Sequence, residues 1–446
     1  MLYTRVLEEN KLEKLIKTKS GLTVLYKKNK QSLGSTLGVY IKAGSRNEDE
    51  DSAGIAHFIE HMLFKGTKRR TSYDIANDIE SLGAANNAAT GKSATYYYIK
   101  GLDKFLDNYF DILSDMILFS TFDPKDIAKE KQVVIEELKM YEDDPNSVNM
   151  NMLDEKLFPR NKYGKPIIGT LESIKAFDQE KIKRFMDKYY RPENMSVAYV
   201  GPTEEKDLLE YVDKYFNKEY AKRRYPNKFE PYKYNKFNQK TCYATKTDRQ
   251  FSQSSIIISF PAKPYSNKYK AVIGYMATML GDGSSSRLFQ NVREKKGLVY
   301  DIYSTSQLSK GVGTYTIEFA CVAKKAALAT SVVRKTLCEI LEKGFTEEEF
   351  NRAKLMLETA FAFSNESAFS QMRFIASKWL LTDKLITLKK YNDLMNEVTL
   401  DEVNNLFKEV IDFDKVSVGY VGNPIEENIR DILVGKQDVY DEDENN

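Results

Sequence analysis

The sequence predicts an α+β fold written twice. Three observations carry that prediction: an internal repeat at a spacing of roughly 220 residues, β-rich alternating runs, and long intervening segments with helical apolar spacing. The stretch "SVAYVGP" (196–202) returns as "SVGYVGN" (417–423), each after a helix-like segment, "EKIKRFMDKYY" and then "DEVNNLFKEVI". Likewise "FDPKDIAKEKQVVIEEL" (122–138) returns as "FTEEEFNRAKLMLETAF" (345–361). Such a spacing is too long for a solenoid and right for a duplicated domain.

Within each half, "TLGVYIKAG", "ATYYYIKG", "SSIIISFPA" and "GTYTIEFACV" read as strands. Leu102, Phe105, Leu106, Tyr109, Leu113, Met116 and Ile117 trace one face of a helix. Strands and helices do not alternate strictly, so a mostly antiparallel sheet covered by helices is expected in each half rather than a βαβ array. The predicted division is a first domain over 1–215, a polar Tyr- and Lys-rich linker over 216–240, and a second domain over 241–432. The acidic tail, 433–446, has the composition of a disordered segment.

Composition narrows the class of function. Lys plus Arg (67) and Asp plus Glu (65) nearly cancel, which removes any electrostatic reason to expect a nucleic acid or an anionic membrane as partner. Cys242, Cys321 and Cys338 are odd in number and widely spaced, as expected of reduced thiols. The N-terminal stretch has no apolar signal core and no run reaches membrane-spanning length, so a cytoplasmic, bacterial setting is expected. The charge runs "KGTKRR" and "AKRRY" read as solvated loops. "GDGSSSRLF" lacks the lysine of a phosphate-binding loop and reads as a tight turn opening the helix that bears Arg287 and Arg293.

The chemistry concentrates in "GIAHFIEHMLFKGT" (54–67), which holds both histidines of the chain. On a helix, His57 and His61 lie about 6 Å apart along the axis and on one face, shared by Glu60, so two imidazoles can meet one ion. A catalytic zinc normally takes three protein ligands, and with no histidine left the third must be a carboxylate or a thiolate. In "KEKQVVIEELKMYEDDP", Glu130 and Glu137 are seven apart and face the same way on a helix, while Val133, Val134 and Leu138 are expected to pack inward. The repeat supplies an internal control. Ala353 stands opposite Glu130, Thr359 and Ala360 opposite Glu136 and Glu137, and "GYMAT" (274–278) opposite "HFIEH". The second half keeps the helices without the acids and histidines, which implies one metal site per chain.

"HFIEHMLFKGT" resembles the inverted zinc motif H-x-x-E-H of the inverzincin peptidases. The resemblance covers nearly the whole chain, to the pitrilysin-type and mitochondrial-processing-peptidase-like bacterial enzymes: "GAANNAATGKSATYYY", "VVIEEL" and "LGDGSSSRLFQNVREKKGLVYDIYS" follow in the family's order. "FPRNKYGKPIIGT" departs from it, with Asn161 and Lys162 where many relatives carry His-Pro. The resemblance implies one zinc ion held by His57, His61 and Glu137, with Glu60 as general base and Glu130 orienting the site. It implies that Arg293 and Tyr300 stabilise the oxyanion, and that the strand around Asn87, Ala88, Ala89 and Thr90 receives the substrate. It further implies two halves closing like a clamshell on a peptide or unfolded polypeptide, in a homodimer or a heterodimer with a related subunit. The activity expected is a zinc-dependent endopeptidase. The alternative is a non-catalytic or assembly subunit of a peptidase-like heterodimer.

Overall fold

The computed structural model describes residues 3–439 except 10, 11, 224, 226 and 238, with side chains from residue 12 onward. Residues 440–446 of the acidic tail lie outside the described residues. The chain opens with strands β1 (Tyr3–Glu9), β2 (Glu13–Thr18), β3 (Thr23–Lys28) and β4 (Gly34–Ile41), then helices α1 (Ile55–Met62) and α2 (Ser72–Glu80). A hairpin of β5 (Ala85–Thr90) and β6 (Thr95–Leu102) leads to α3 (Leu106–Phe119), α4 (Pro124–Asp143) and α5 (Pro145–Leu157). Next come α6 (Leu171–Lys175), α7 (Gln179–Tyr189), β7 (Met195–Gly201), α8 (Glu205–Val212) and α9 (Lys218–Lys222). The second pass holds β8 (Tyr243–Thr247), β9 (Ser254–Pro261), α10 (Asn267–Gly281), β10 (Ile302–Ser309) and β11 (Val312–Cys321). It continues through α11 (Ala323–Lys343), α12 (Glu347–Ser364), α13 (Ala368–Thr382), α14 (Leu388–Asn396) and α15 (Leu400–Val410) to β12 (Ser417–Gly422) and α16 (Ile429–Leu433).

Two sheets result, ordered β1-β2-β3-β7-β4-β6-β5 and β10-β11-β9-β12-β8. The repeat is visible in their pairing. The duplicated "SVAYVG" and "SVGYVG" strands, β7 and β12, each lie between one parallel partner (β3, β8) and one antiparallel partner (β4, β9). All other neighbours are antiparallel, so the α+β class holds.

Two compact units form, and neither is a continuous stretch of chain. The first joins Met1–Leu138, Lys165–Lys233 and Ala362–Lys390; the second joins Lys139–Gly164, Tyr234–Phe361 and Tyr391–Asn446. In the first, alternation along the strands sends Ile16, Val24, Val39 and Ile41 to a core shared with α1, α3 and α7, and Leu15, Leu25 and Tyr40 to the opposite face. That opposite face is covered by Met372, Ile375, Ala376 and Trp379 of α13. Gly38 of β4 admits the helix closely, since a Cβ there would lie 2.8 Å from Met372 Sδ. In the second unit Leu153 and Leu157 of α5 pack with Ala244 and Ile257. Asn149 of the same helix donates to the carbonyls of Ser255 (2.9 Å) and Gly419 (3.1 Å). Each large apolar side chain buried in this way contributes about 1.5–3 kcal/mol. Within 216–240, Phe216 and Tyr220 of the helical stretch that ends in α9 are buried in the first unit's core.

Two expectations are corrected. Val133 is exposed rather than inward, because the buried stripe of α4 runs through Ile127, Glu130, Val134 and Ile135, with Leu138 partly buried beside it. "KGTKRR" is not a solvated loop: Arg69 and Arg70 both reach Asp111 and Asp115 of α3, and Arg70 also reaches Asp78 of α2. Asp115 is fully buried and takes a further hydrogen bond from Thr67. Cys242, Cys321 and Cys338 are free thiols. Among the described residues no helix is long and apolar enough to cross a membrane.

Candidate metal centre

The site begins at the N-terminus of α1. Gly54 caps the helix with φ +88°, and a Cβ there would lie 2.3 Å from the carbonyl oxygen of Ile168. The buried Glu48 carboxylate accepts from the backbone N–H groups of Gly54 (2.7 Å) and Ala56 (2.9 Å), which places an anion against the positive end of the helix. Ile55, Phe58, Ile59 and Met62 are driven into the core, and this turns His57, Glu60 and His61 together onto the other, half-buried face.

Helix α4 supplies the third donor. Val134 and Ile135 anchor it, and Glu137 stands 3.7 Å from His57 Nε2 and 3.6 Å from His61 Nε2. One ligand atom from each of the three residues lies within 4.8 Å of the others, the only such His/Cys/Asp/Glu group among the described residues. Zinc with N and O ligands at about 2.0–2.2 Å needs donor atoms about 3.3 Å apart, a few tenths of an ångström inside the 3.6 and 3.7 Å that separate Glu137 from the two imidazoles. Hydrogen bonding also favours a ligating tautomer. Glu130 Oε1 lies 2.8 Å from His61 Nδ1 and its other oxygen 2.6 Å from Lys65 Nζ, so in the neutral imidazole the proton sits on Nδ1 and Nε2 faces Glu137. The Nδ1 of His57 is buried with no hydrogen-bond partner. Two imidazoles and a carboxylate in this arrangement fit zinc.

Burial, helped by the neighbouring His61 ring, pushes the His57 pKa down to about 4, which keeps this imidazole neutral and able to ligate at neutral pH. Burial acts the same way on His61, but the Glu130 hydrogen bond and the charges of Glu130, Glu137 and Glu60 outweigh it, so its pKa rises. For Glu130, burial is outweighed by hydrogen bonds from His61 and Lys65, and the carboxyl is held below its ordinary value. Burial pushes the Glu60 pKa up. Glu60 is outside the three-donor group, and its Oε2 accepts a 2.6 Å hydrogen bond from Thr90 Oγ1.

Strand β5 carries Asn87, Ala88, Ala89 and Thr90 and is the edge of its sheet, paired only with β6. Asn87 is exposed and the other three are half-buried. Arg293 and Tyr300 belong to the second unit, where the guanidinium lies 5.1 Å from the centroid of the Tyr300 ring. Tyr300 is 84% exposed. Turn residues 283–286 do open the helical segment carrying Arg287 and Arg293, with Gly283 at φ +84°.

Sequence reasoning missed Glu48 and Lys65. Lys65 follows His61 by four residues, a spacing that could have flagged it. Glu48 is one of four consecutive acids, and nothing local distinguishes the one that turns inward.

Comparison with known proteins identifies the family. The family described as Insulinase (Peptidase family M16) matches residues 23–171, and the Peptidase M16 inactive domain matches residues 176–357. The chain is 31% identical to the uncharacterized zinc protease YmxG of Bacillus subtilis (strain 168), over 89% of this chain and 95% of that one. An uncharacterized zinc protease of Mycobacterium leprae is 31% identical over 84% of each chain. Among solved structures, a protease from Helicobacter pylori aligns with a TM-score of 0.85 at 21% identity, over 92% of this chain and 99% of that one. The M16 inactive domain from Pseudomonas fluorescens aligns with a TM-score of 0.84 at 20% identity, over 93% and 99%. These two structures share the fold. With both parts matched in order and this identity along nearly the full length of a relative, the chain belongs to the insulinase (M16) family of zinc peptidases.

Proposed function

We propose that the protein is a zinc-dependent endopeptidase that hydrolyses peptides or unfolded precursor segments. The observation that carries the reading is the convergence of His57, His61 and Glu137, with Glu60 beside them and outside the donor set. When bound, zinc supplies a Lewis acid and lowers the pKa of a water toward about 7. Glu60 takes the proton of the attacking water and returns it to the departing amine, a role for which burial raises its basicity. Glu130 keeps the His61 ring in one tautomer. The free edge of β5 offers backbone groups to an extended peptide, so recognition depends mainly on the main chain and sequence preference is modest. A homodimer or a heterodimer with a related subunit is the assembly to test by size exclusion with light scattering. A cytoplasmic setting is supported by the three free thiols.

The deciding experiment measures zinc per chain and cleavage of a quenched peptide library for the wild type, for Glu60→Gln and after chelation. About one zinc per chain is expected, and removing the base should cost about 10²–10⁴-fold in turnover with metal content unchanged. Zinc binding without cleavage by the wild type would instead support a non-catalytic subunit.

A further inference from the structure

Thr90 ends the edge strand β5, and its hydroxyl points at the base rather than into solvent. An ionised carboxylate only accepts, so the Thr90 hydroxyl is the donor in that hydrogen bond. Thr95 Oγ1 spends its single proton on the carbonyl of Ala43 (3.0 Å), and Thr90 Oγ1, 3.4 Å from it, donates to Glu60 Oε2 at 2.6 Å. The Glu60 carboxylate is thereby held by the Thr90 hydroxyl, with a hydrogen bond from the Thr90 backbone beside it.

The backbone behind Thr90 is braced as well. Thr90 pairs with Thr95 across the hairpin, and the turn between them closes with Gly91 N–H donating to Ala94 O (2.8 Å). The turn in its own right accepts from Ser45 N–H at Gly91 O (3.2 Å) and from Arg46 N–H at Lys92 O (2.9 Å). Two residues further on, Glu48 caps α1. The short segment 43–48 therefore holds both the end of β5 and the start of the helix that carries Glu60. A Cβ at Gly44 would lie 2.0 Å from Gly91 O, so this junction has no slack.

We propose that Thr90 is a positioning residue for Glu60, whose hydroxyl aims the base and couples it to the strand on which the substrate docks. The proposal rests on the peptidase reading and adds a consequence to it. A peptide long enough to pair along β5 steadies the strand that holds the base, so lengthening the substrate raises kcat as well as lowering KM.

The test compares wild type, Thr90→Val and Thr90→Ser, all zinc-loaded, on a series of peptides of increasing length. Valine keeps the β-branched shape and removes the hydroxyl, so kcat should fall about 10–100-fold while KM and zinc content stay close to wild type. Serine should restore most of kcat, and the length dependence of kcat should vanish in the valine variant alone. Unchanged kcat in Thr90→Val, or a loss confined to KM or to zinc content, overturns the proposal. Crystal structures of the metal-free wild type and Thr90→Val give a readout independent of turnover. Glu60 should leave its wild-type rotamer in the variant, and a Glu60 that keeps it overturns the proposal whatever the activity. If the wild type cleaves nothing, the peptidase reading falls while this structural comparison still decides what Thr90 does.

Discussion

Glu130 shows how a buried acid acts through another residue. It is 4% exposed, yet it is not one of the three donors; its two oxygens are divided between His61 and Lys65. Replacing it with glutamine removes the charge that holds the His61 Nδ1 proton, and outer-sphere partners of this kind are worth about 10–100-fold in metal affinity. Glu130→Gln should therefore weaken zinc binding by that factor in competition with a chromophoric chelator, with Lys65→Met shifting it in the same direction. Unaltered affinity in both variants would mean that the His61 tautomer is set elsewhere.

At the scale of elements, the placement of α1 depends on a backbone conformation and on a close approach. Gly54→Ala would need a Cβ 2.3 Å from Ile168 O at φ +88°, and strain of this sort costs about 1–3 kcal/mol before the clash is counted. Gly274, inside α10, has nothing within 4 Å of its Cβ position, so Gly274→Ala should stabilise by about 0.4–1 kcal/mol. Opposite shifts in melting temperature are expected from these two variants, and equal shifts would refute the account of the cap.

The Arg69 and Arg70 cluster that fixes the turn after α1 makes a pH prediction. Burial opposes ionisation of Asp111, but hydrogen bonds from Arg70 and Arg69 prevail and lower its pKa. With the folded value depressed, the stabilisation is present above the unfolded carboxylate pKa of about 3.9 and is lost as pH falls through the lower folded value. Asp111→Asn should thus be less stable than wild type at pH 7, and the difference should shrink in acid. A gap in urea midpoint that does not change with pH would sink this explanation.

At the scale of the molecule, each compact unit borrows a helix from the other half of the sequence. Residues 1–233 alone would lack Met372, Ile375, Ala376 and Trp379, leaving Leu15, Leu25 and Tyr40 on an uncovered sheet face. Exposed apolar surface of this extent leads to association or to a loosely packed state. The fragment should bind a hydrophobic dye and unfold without a sharp transition, and co-expression with 234–446 should restore cooperative unfolding. A fragment that is monomeric and cooperative by itself would refute the need for α13.

The duplicated architecture, His57, His61 and Glu60 on one helical face, and Glu130 and Glu137 as the acids to consider were all legible from periodicity and from the repeat, because helix spacing and internal symmetry are local or self-referential signals. What only the tertiary structure decided depends on groups far apart in sequence. It put Glu137 opposite the two imidazoles and Glu130 behind one of them, turned Glu48 beneath α1, and aimed the Thr90 hydroxyl at Glu60. It also paired Arg69 and Arg70 with acids of α2 and α3, and sent α5 and α13 to the sheets of opposite halves. The physical reason is the same in each case. A charged or apolar side chain in the sequence shows what it needs, a counter-charge, a hydrogen bond or a covered surface, and only packing determines which distant residue supplies it.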